Sequence, residues 1–242
     1  MVFPAPPRTL DAEDLLAAYP WPDEGRWVRA MMVTTLDGAA AGPDGLSGSI
    51  SSPVDGQVFD SVRRLADAVL IGAGTLRAEQ YGPMRSVEAD AERRRKAGQA
   101  PAPQLTVVSG SLDLPWDLPV WSGSTLTPLV LTGPSPDAVA LELAQRHTTV
   151  LTCADLEPAT LLDALTDRGL RRIVCEGGPS LLEAVVKADL LDEADITLSP
   201  VFAGTSKTPR TSGLAEVARF EIAHLIAAES YLMARYVRAA VA

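Results

Sequence analysis

The sequence is short of the residues that build metal centres and disulfide frameworks. Two cysteines, Cys153 and Cys175, and two histidines, His147 and His224, occur in 242 residues. The cysteines lack metal-ligand spacing and are too few for a disulfide scaffold, and a zinc site needs more histidines than this, so no metal is expected. Basic residues are outnumbered: 21 Lys+Arg against 31 Asp+Glu leave a formal net charge of −10. Nucleic acid and anionic membranes both require a basic face, so neither is expected as a partner. No apolar run approaches the roughly 18 residues of a membrane span. Met1 to Pro7 shows neither a basic n-region nor an apolar h-region, so we expect a cytoplasmic protein. What remains is ordinary globular composition, 47% hydrophobic and 21% charged, in a length that can bury its own core.

Residues 1–26 hold five prolines (Pro4, Pro6, Pro7, Pro20, Pro22) and one short helical stretch, Asp11 to Tyr19, and read as an N-terminal extension. Residues 27–242 read as a single domain in which strands and helices alternate. Trp27 to Val33, Ala68 to Ile71, Leu105 to Val108, Leu129 to Leu131, Arg172 to Glu176 and Ala194 to Leu198 have strand length and apolar content. Ser52-Pro53 opens an amphipathic helix carrying Val54, Val58, Phe59, Val62 and Leu65. Further helices are expected over Asp137 to Arg146, over Thr160 to Arg168 and from Pro179 through Lys187. Arg219 to Ala227 and Tyr231 to Val237 read as an antiparallel hairpin. The alternation predicts an α/β fold with a mostly parallel sheet and an antiparallel edge. Arg85 to Pro103, with Arg93-Arg-Arg-Lys96, reads as a solvated helix and loop.

Two glycine turns follow predicted strands. Gly72-Ala-Gly74-Thr75 could let backbone N–H groups approach an anion, but Arg77 stands where the last glycine of a Gly-x-Gly-x-x-Gly fingerprint belongs, and a plain tight turn fits equally well. In Glu176-Gly177-Gly178-Pro179-Ser180 a strand ends in an acid, two glycines turn the chain, and proline opens a helix. Ligands of α/β proteins bind at this carboxyl edge of the sheet, although a tight connection with Glu176 serving only the turn is the alternative. Thr35-Leu36-Asp37-Gly38 is a turn by composition. Gly45-Leu-Ser47-Gly-Ser49 lacks the closing glycine of a nucleophile elbow, and no P-loop motif occurs.

Taken in order, Thr34-Thr-Leu-Asp-Gly38, Ser47, Arg63, Ala66-Asp-Ala-Val-Leu-Ile-Gly-Ala-Gly-Thr75, Glu176-Gly-Gly-Pro-Ser-Leu181, Leu191-Asp-Glu193 and Leu198-Ser-Pro-Val-Phe-Ala-Gly204 resemble the riboflavin-biosynthesis pyrimidine reductase family, the reductase half of a bifunctional deaminase–reductase. The resemblance covers roughly residues 27–238. It implies a dihydrofolate-reductase-like three-layer α/β/α fold, NADPH as hydride donor, a small-molecule substrate and a homodimer. By position it places Val33, Ser49, Gly72, Gly74, Thr75, Glu79 and Ser109 at the cofactor. Gly177, Gly178, Pro179, Ser180 and Leu181 fall where the family holds the pyrophosphate. Ser47, Arg63 and Glu176 match substrate positions, and Asp37 and Glu176 are candidates for orienting or protonating the substrate.

The chain departs from the family pattern in places. Ser49 stands where many members carry Trp, and Glu79-Gln80-Tyr81 replaces Asp-Asp-Pro. No deaminase-type His-x-Glu or Pro-Cys-x-x-Cys motif is present, so the expected substrate is the deaminated 5-amino-6-(5-phosphoribosylamino)uracil. Asp55 lies near where dihydrofolate reductases carry a pterin-binding acid, which keeps a pterin reductase open. Its other reading is a helix-start carboxylate favoured by the dipole. An NADP-binding protein without efficient catalysis is the third reading.

Overall fold

Short aliphatic runs that end in glycine or a polar turn become strands, and the longer segments with apolar residues every third or fourth position become helices. The computed structural model describes residues 8–204, 214 and 217–239; the Met1 to Pro7 stretch lies outside them. Among the described residues nine strands form one sheet: β1 (Trp27–Thr34), β2 (Ala68–Gly72), β3 (Gln104–Val108), β4 (Leu129–Thr132), β5 (Thr149–Thr152), β6 (Arg172–Cys175), β7 (Glu193–Leu198), β8 (Phe220–Ala228) and β9 (Tyr231–Arg238). Their order is β5-β4-β3-β2-β6-β1-β7-β9-β8. Pairings from β5 to β7 are parallel, and β9 joins β7 and β8 antiparallel. The expected parallel sheet with a C-terminal hairpin is what is observed.

Helices cover both faces: α1 (Ala12–Ala18), α2 (Pro53–Arg63), α3 (Ala73–Glu79), α4 (Ala91–Lys96), α5 (Val120–Gly123), α6 (Ala138–Gln145), α7 (Pro158–Thr166) and α8 (Pro179–Lys187). On one face Leu161, Leu162 and Leu165 of α7 and Val185 of α8 pack on Val28, Ala30, Leu70 and Ile173. On the other, α2 sets Val58 and Val62 against Met31 and Val174, while Leu76 of α3 joins Val69, Ile71 and Val107. Each strand alternates its side chains between these two layers, and that is why β2 is apolar at every central position.

Residues 8–26 dock on the α2 face. Leu15 and Tyr19 are buried with Met31, Val58 and Met233. Arg29, fully buried, donates through Nη2 to the Pro20 carbonyl (2.8 Å), pairs with Glu193 (2.7 Å) and lies under the Trp21 ring (4.0 Å). None of the helices is long and apolar enough to cross a membrane among the described residues.

Two elements differ from expectation. β5 is a sheet-edge strand with an exposed–half-buried–half-buried–exposed pattern, so it lacks the apolar signature that marks the central strands. Gly72 to Thr75 is not a loop: Gly72 is extended, and α3 begins at Ala73.

Candidate functional site

Because β1, β2 and β6 are adjacent and parallel, their carboxyl ends open onto one edge, and the β2–α3 junction at Gly72 meets the Gly177-Gly178 turn there. The Gly72 amide donates to the Gly177 carbonyl (2.8 Å), and the Gly178 amide donates to Thr75 Oγ1 (2.7 Å). Gly177 has φ +87°, a left-handed backbone that a side chain would strain, and Met32 Sδ lies 3.4 Å from where its Cβ would be. A Cβ on Gly178 would meet Thr75 Oγ1 at 2.9 Å. The close approach of these two segments is therefore built on the absence of side chains.

A cleft of about 640 Å³ opens over this junction. Val33, Ser47, Gly72, Gly74, Thr75 and Glu79 line it, as do Glu176, Gly178, Pro179, Ser180 and Leu181. Gly178 caps α8 without a side-chain hydrogen bond. The Leu181 and Leu182 amides turn back to the Gly178 carbonyl (3.1 Å each) and Pro179 has no N–H, so the first turn of α8 offers the Ser180 amide and the positive end of its dipole to the cleft, a setting that suits a phosphate. A Cβ at Gly74 would have no neighbour within 4 Å, so space remains above the β2–α3 junction. These residues fit the pyrophosphate of a dinucleotide.

A smaller pocket of about 340 Å³ adjoins the cleft, sharing Ser47, Phe59, Glu79 and Tyr81 with it, and its floor is a charged cluster. Arg63, at the end of α2, donates through Nε to Glu176 Oε1 (2.5 Å) and through Nη2 to Oε2 (2.6 Å), across 113 residues of sequence. The Tyr81 hydroxyl donates to Glu176 Oε2 (2.9 Å). The Arg63 guanidinium lies 4.3 Å from the Phe59 ring centre and 5.5 Å from that of Tyr81. Burial works against the Arg63 charge, but Glu176 outweighs it and holds the guanidinium firmly protonated. Burial, reinforced by the Glu176 charge, raises the Tyr81 phenol well above its ordinary value, so it stays neutral and donates. Cys175, one residue before Glu176, is fully buried, and burial pushes its thiol up to about 12, which removes it as a nucleophile.

Ser47 and Glu79 are brought together as well: the Ser47 amide donates to Glu79 Oε1 (2.8 Å), tying the loop after β1 to the end of α3. Ser49, Gly177 and Ser109 lie off the cleft wall. Ser49 Oγ is spent on Asp44 (2.8 Å) and the Leu46 carbonyl (3.0 Å) within its own loop. Ser109 is buried and accepts from the Leu112 amide (3.0 Å), leaving Val108 as the wall at the end of β3.

The two remaining carboxylates correct the sequence reading. Asp55 is buried away from the cleft lining, accepting from Thr197 Oγ1 on β7 (2.6 Å) and Ser51 Oγ (2.5 Å). It is the helix-start carboxylate, tied across to the sheet, and the pterin-binding role loses its geometry. Asp55→Asn is expected to leave turnover unchanged while costing about 1–3 kcal/mol of stability, because one buried hydroxyl donor faces an amide that cannot replace the acceptor. Denaturant melts beside steady-state kinetics read both effects.

Asp37 also lies outside the cleft lining. Thr35 Oγ1 and the amides of Ala203 (3.1 Å) and Gly204 (2.8 Å) donate to it, so it latches the turn after β1 to the loop after β7. These bonds, the Thr35 hydroxyl foremost, hold its carboxyl down from 3.8 to about 2. A depressed carboxyl contributes fully above its unfolded pKa and fades only as pH falls through the folded one, here about 2. Asp37 thus carries no proton to give at neutral pH. Asp37→Asn is expected to leave the shape of the kcat/KM profile between about pH 5 and 9 unchanged; a lost limb would restore it as an acid–base group.

Sequence reasoning passed over Phe59, Met31, Met32, Leu156 and Tyr81. The first four read as core or loop apolar residues, and only the departure from the Asp-Asp-Pro pattern marked Tyr81 as unusual.

Comparison with known proteins agrees with this architecture. The RibD C-terminal domain family matches residues 26–232. The 2,5-diamino-6-ribosylamino-4(3H)-pyrimidinone 5′-phosphate reductase of Archaeoglobus fulgidus is 26% identical over 186 residues, 76% of this chain and 84% of that one. Riboflavin biosynthesis protein RibD of Mycobacterium tuberculosis is 29% identical over 171 residues, 71% of this chain and 41% of that protein. Among solved structures, a pyrimidine reductase-like protein from Corynebacterium diphtheriae superposes with a TM-score of 0.77 at 25% identity, covering 89% of this chain and 93% of its own. With the family match running from the start of β1 into β9, the chain belongs to the RibD C-terminal domain family.

Proposed function

We propose that this protein is an NADPH-dependent reductase of the riboflavin pathway, converting the ribosylamino group of 5-amino-6-(5-phosphoribosylamino)uracil to its ribitylamino form. The observation that carries the reading is the junction of two unlike cavities: a cleft over the start of α8 and the meeting of Gly72 with Gly177-Gly178, and beside it a pocket floored by an arginine. Family membership and the names of the relatives support the same chemistry.

The nicotinamide ring, when bound, supplies hydride to the first carbon of the ring-opened sugar. The chain's own residues do the rest of the work, which is chiefly alignment. The Ser180 amide at the start of α8 would hold the pyrophosphate, with Gly178 and Leu181 as the adjoining wall, and Thr75 fixes Gly178. Arg63 meets the substrate. Arg85 is exposed, has no ion pair among the described residues and lines a third pocket of about 330 Å³ that shares Arg63, Pro83 and Met84 with the small one, so it is placed to take the sugar phosphate. The reaction consumes one proton for each hydride transferred. Residues 27–242 are the reductase unit in this reading and 1–26 an N-terminal extension, of which residues 8–26 dock on it, in a cytoplasmic homodimer whose mass light scattering would report.

The test is NADPH oxidation by the purified protein with three substrates side by side: the uracil form, its 2-amino-4-oxo counterpart for which the Archaeoglobus protein is named, and dihydrofolate. Pyrimidine-dependent loss of NADPH absorbance is expected, with none from dihydrofolate. Tight NADPH binding without turnover of either pyrimidine would replace the proposal with the non-catalytic reading.

A further inference from the structure

Of the three groups in the Arg63–Glu176–Tyr81 cluster, Glu176 is absent from the lining of the small pocket and borders only the cleft. Its side chain is 1% exposed, and both oxygens are engaged by Arg63 and Tyr81. Tyr81 is half-buried and lines both the cleft and the small pocket. With its hydroxyl committed to Glu176, what it presents to the cavities is ring. That hydroxyl anchor also removes the rotational freedom an unanchored ring would keep, so the ring is held ready at the boundary between the two spaces. Phe59 borders the same spaces, but the guanidinium of Arg63 covers it at 4.3 Å and stands farther, 5.5 Å, from Tyr81.

A fixed π surface between a dinucleotide cleft and a cationic pocket suits a flat heteroaromatic ring carrying an anionic tail. The geometry points to Tyr81 as a specificity-determining contact on which the substrate's pyrimidine stacks, with Glu176 as the positioning residue that holds it. This rests on the pyrimidine reading above. It also gives a role to the residue that replaces the proline of the Asp-Asp-Pro pattern. Glu176 then acts through Arg63 and Tyr81 and does not itself touch the reacting atoms.

The experiment compares Tyr81→Leu and Tyr81→Phe with wild type. It measures KM and kcat for the pyrimidine, dissociation constants of the ribitylamino product and of NADPH by calorimetry, and thermal melts. Tyr81→Leu is expected to raise KM and the product dissociation constant roughly ten- to a hundredfold, the scale of losing one aromatic platform under a base. NADPH affinity should move less than about twofold, and Tyr81→Phe, which keeps the ring, should recover most of the product affinity. If Tyr81→Leu does not fold, Tyr81→Met takes its place as the ring-free variant.

Unchanged product affinity in the ring-free variant overturns the assignment. So does equal weakening of product and NADPH, which would mark Tyr81 as a structural wall, and so does a Tyr81→Phe variant as weak as the ring-free one. Failure of wild type to turn over or bind the pyrimidine overturns the functional reading as well. Turnover in wild type with an indifferent Tyr81 overturns this inference alone.

Discussion

Arg63→Ala is expected to lower kcat/KM for the pyrimidine by roughly ten- to a hundredfold, the loss of about 1.5–3 kcal/mol that a charge-assisted hydrogen bond supplies in a transition state. It should also destabilise the fold by about 3 kcal/mol, because it leaves a buried carboxylate without its cation. The Glu176 side chain is 1% exposed and that of Arg63 is 23% exposed, so one partner has water to turn to and the other has only Tyr81. This places the cost at the lower end of the range for broken buried pairs. A surface arginine would behave differently: pairing with Asp60 alone, which stands 4.0 Å away and is 78% exposed, would leave both numbers almost unmoved.

Steady-state kinetics and denaturant melts on the same preparation separate the two losses. The NADPH dissociation constant serves as the internal control, since Arg63 lines the small pocket and not the cleft over α8. Arg63→Lys keeps the charge but not the two-pronged bond to Glu176, and is expected to fall between wild type and Ala in both measurements. A kinetically silent Arg63→Ala would remove the substrate pocket from its proposed place.

Most of the sheet was legible because its central strands are buried on both faces. A strand such as Ala68-Val-Leu-Ile71 has nowhere to put a polar side chain, and that shows as an unbroken apolar run. β5 is an edge strand with no such pressure on it, so nothing in Thr149-Val-Leu-Thr152 separates it from a loop. The glycine turns were legible for a similar reason: close approach of two backbones forbids side chains, and Gly177 and Gly178 record that prohibition directly.

The carboxylates were harder, since a local pattern reveals that an acid stands at a helix start or a turn but not what lies across from it. Asp55 and Asp37 resembled site residues by position, yet their partners, Thr197 for one and Ala203 and Gly204 for the other, lie 142, 166 and 167 residues away in sequence. Arg63 and Glu176 were each placed at the substrate by resemblance. That they bind one another, across 113 residues, is a property of the folded chain alone, as is Tyr81 completing the cluster.

Gly178→Val should weaken NADPH binding by at least roughly tenfold, about 1.4 kcal/mol, for two separable reasons. A Cβ at this position meets Thr75 Oγ1 at 2.9 Å, closer than real carbon atoms come, so the hydroxyl that accepts the Gly178 amide must move. The γ-methyls of valine add bulk beside the start of α8, where the Ser180 amide must approach an anion directly. The first effect costs stability, about 1–3 kcal/mol for an overpacked contact; the second costs affinity. Thr75→Ala combined with Gly178→Val distinguishes them, because it removes the atom that the new Cβ would strike and keeps the γ-methyls. If that double variant melts like wild type and still binds NADPH weakly by calorimetry, the loss lies at the ligand. If relief of the clash restores affinity in full, Gly178 serves only the packing of the two segments. A folded Gly178→Val protein with unchanged NADPH affinity would put the pyrophosphate somewhere other than the start of α8.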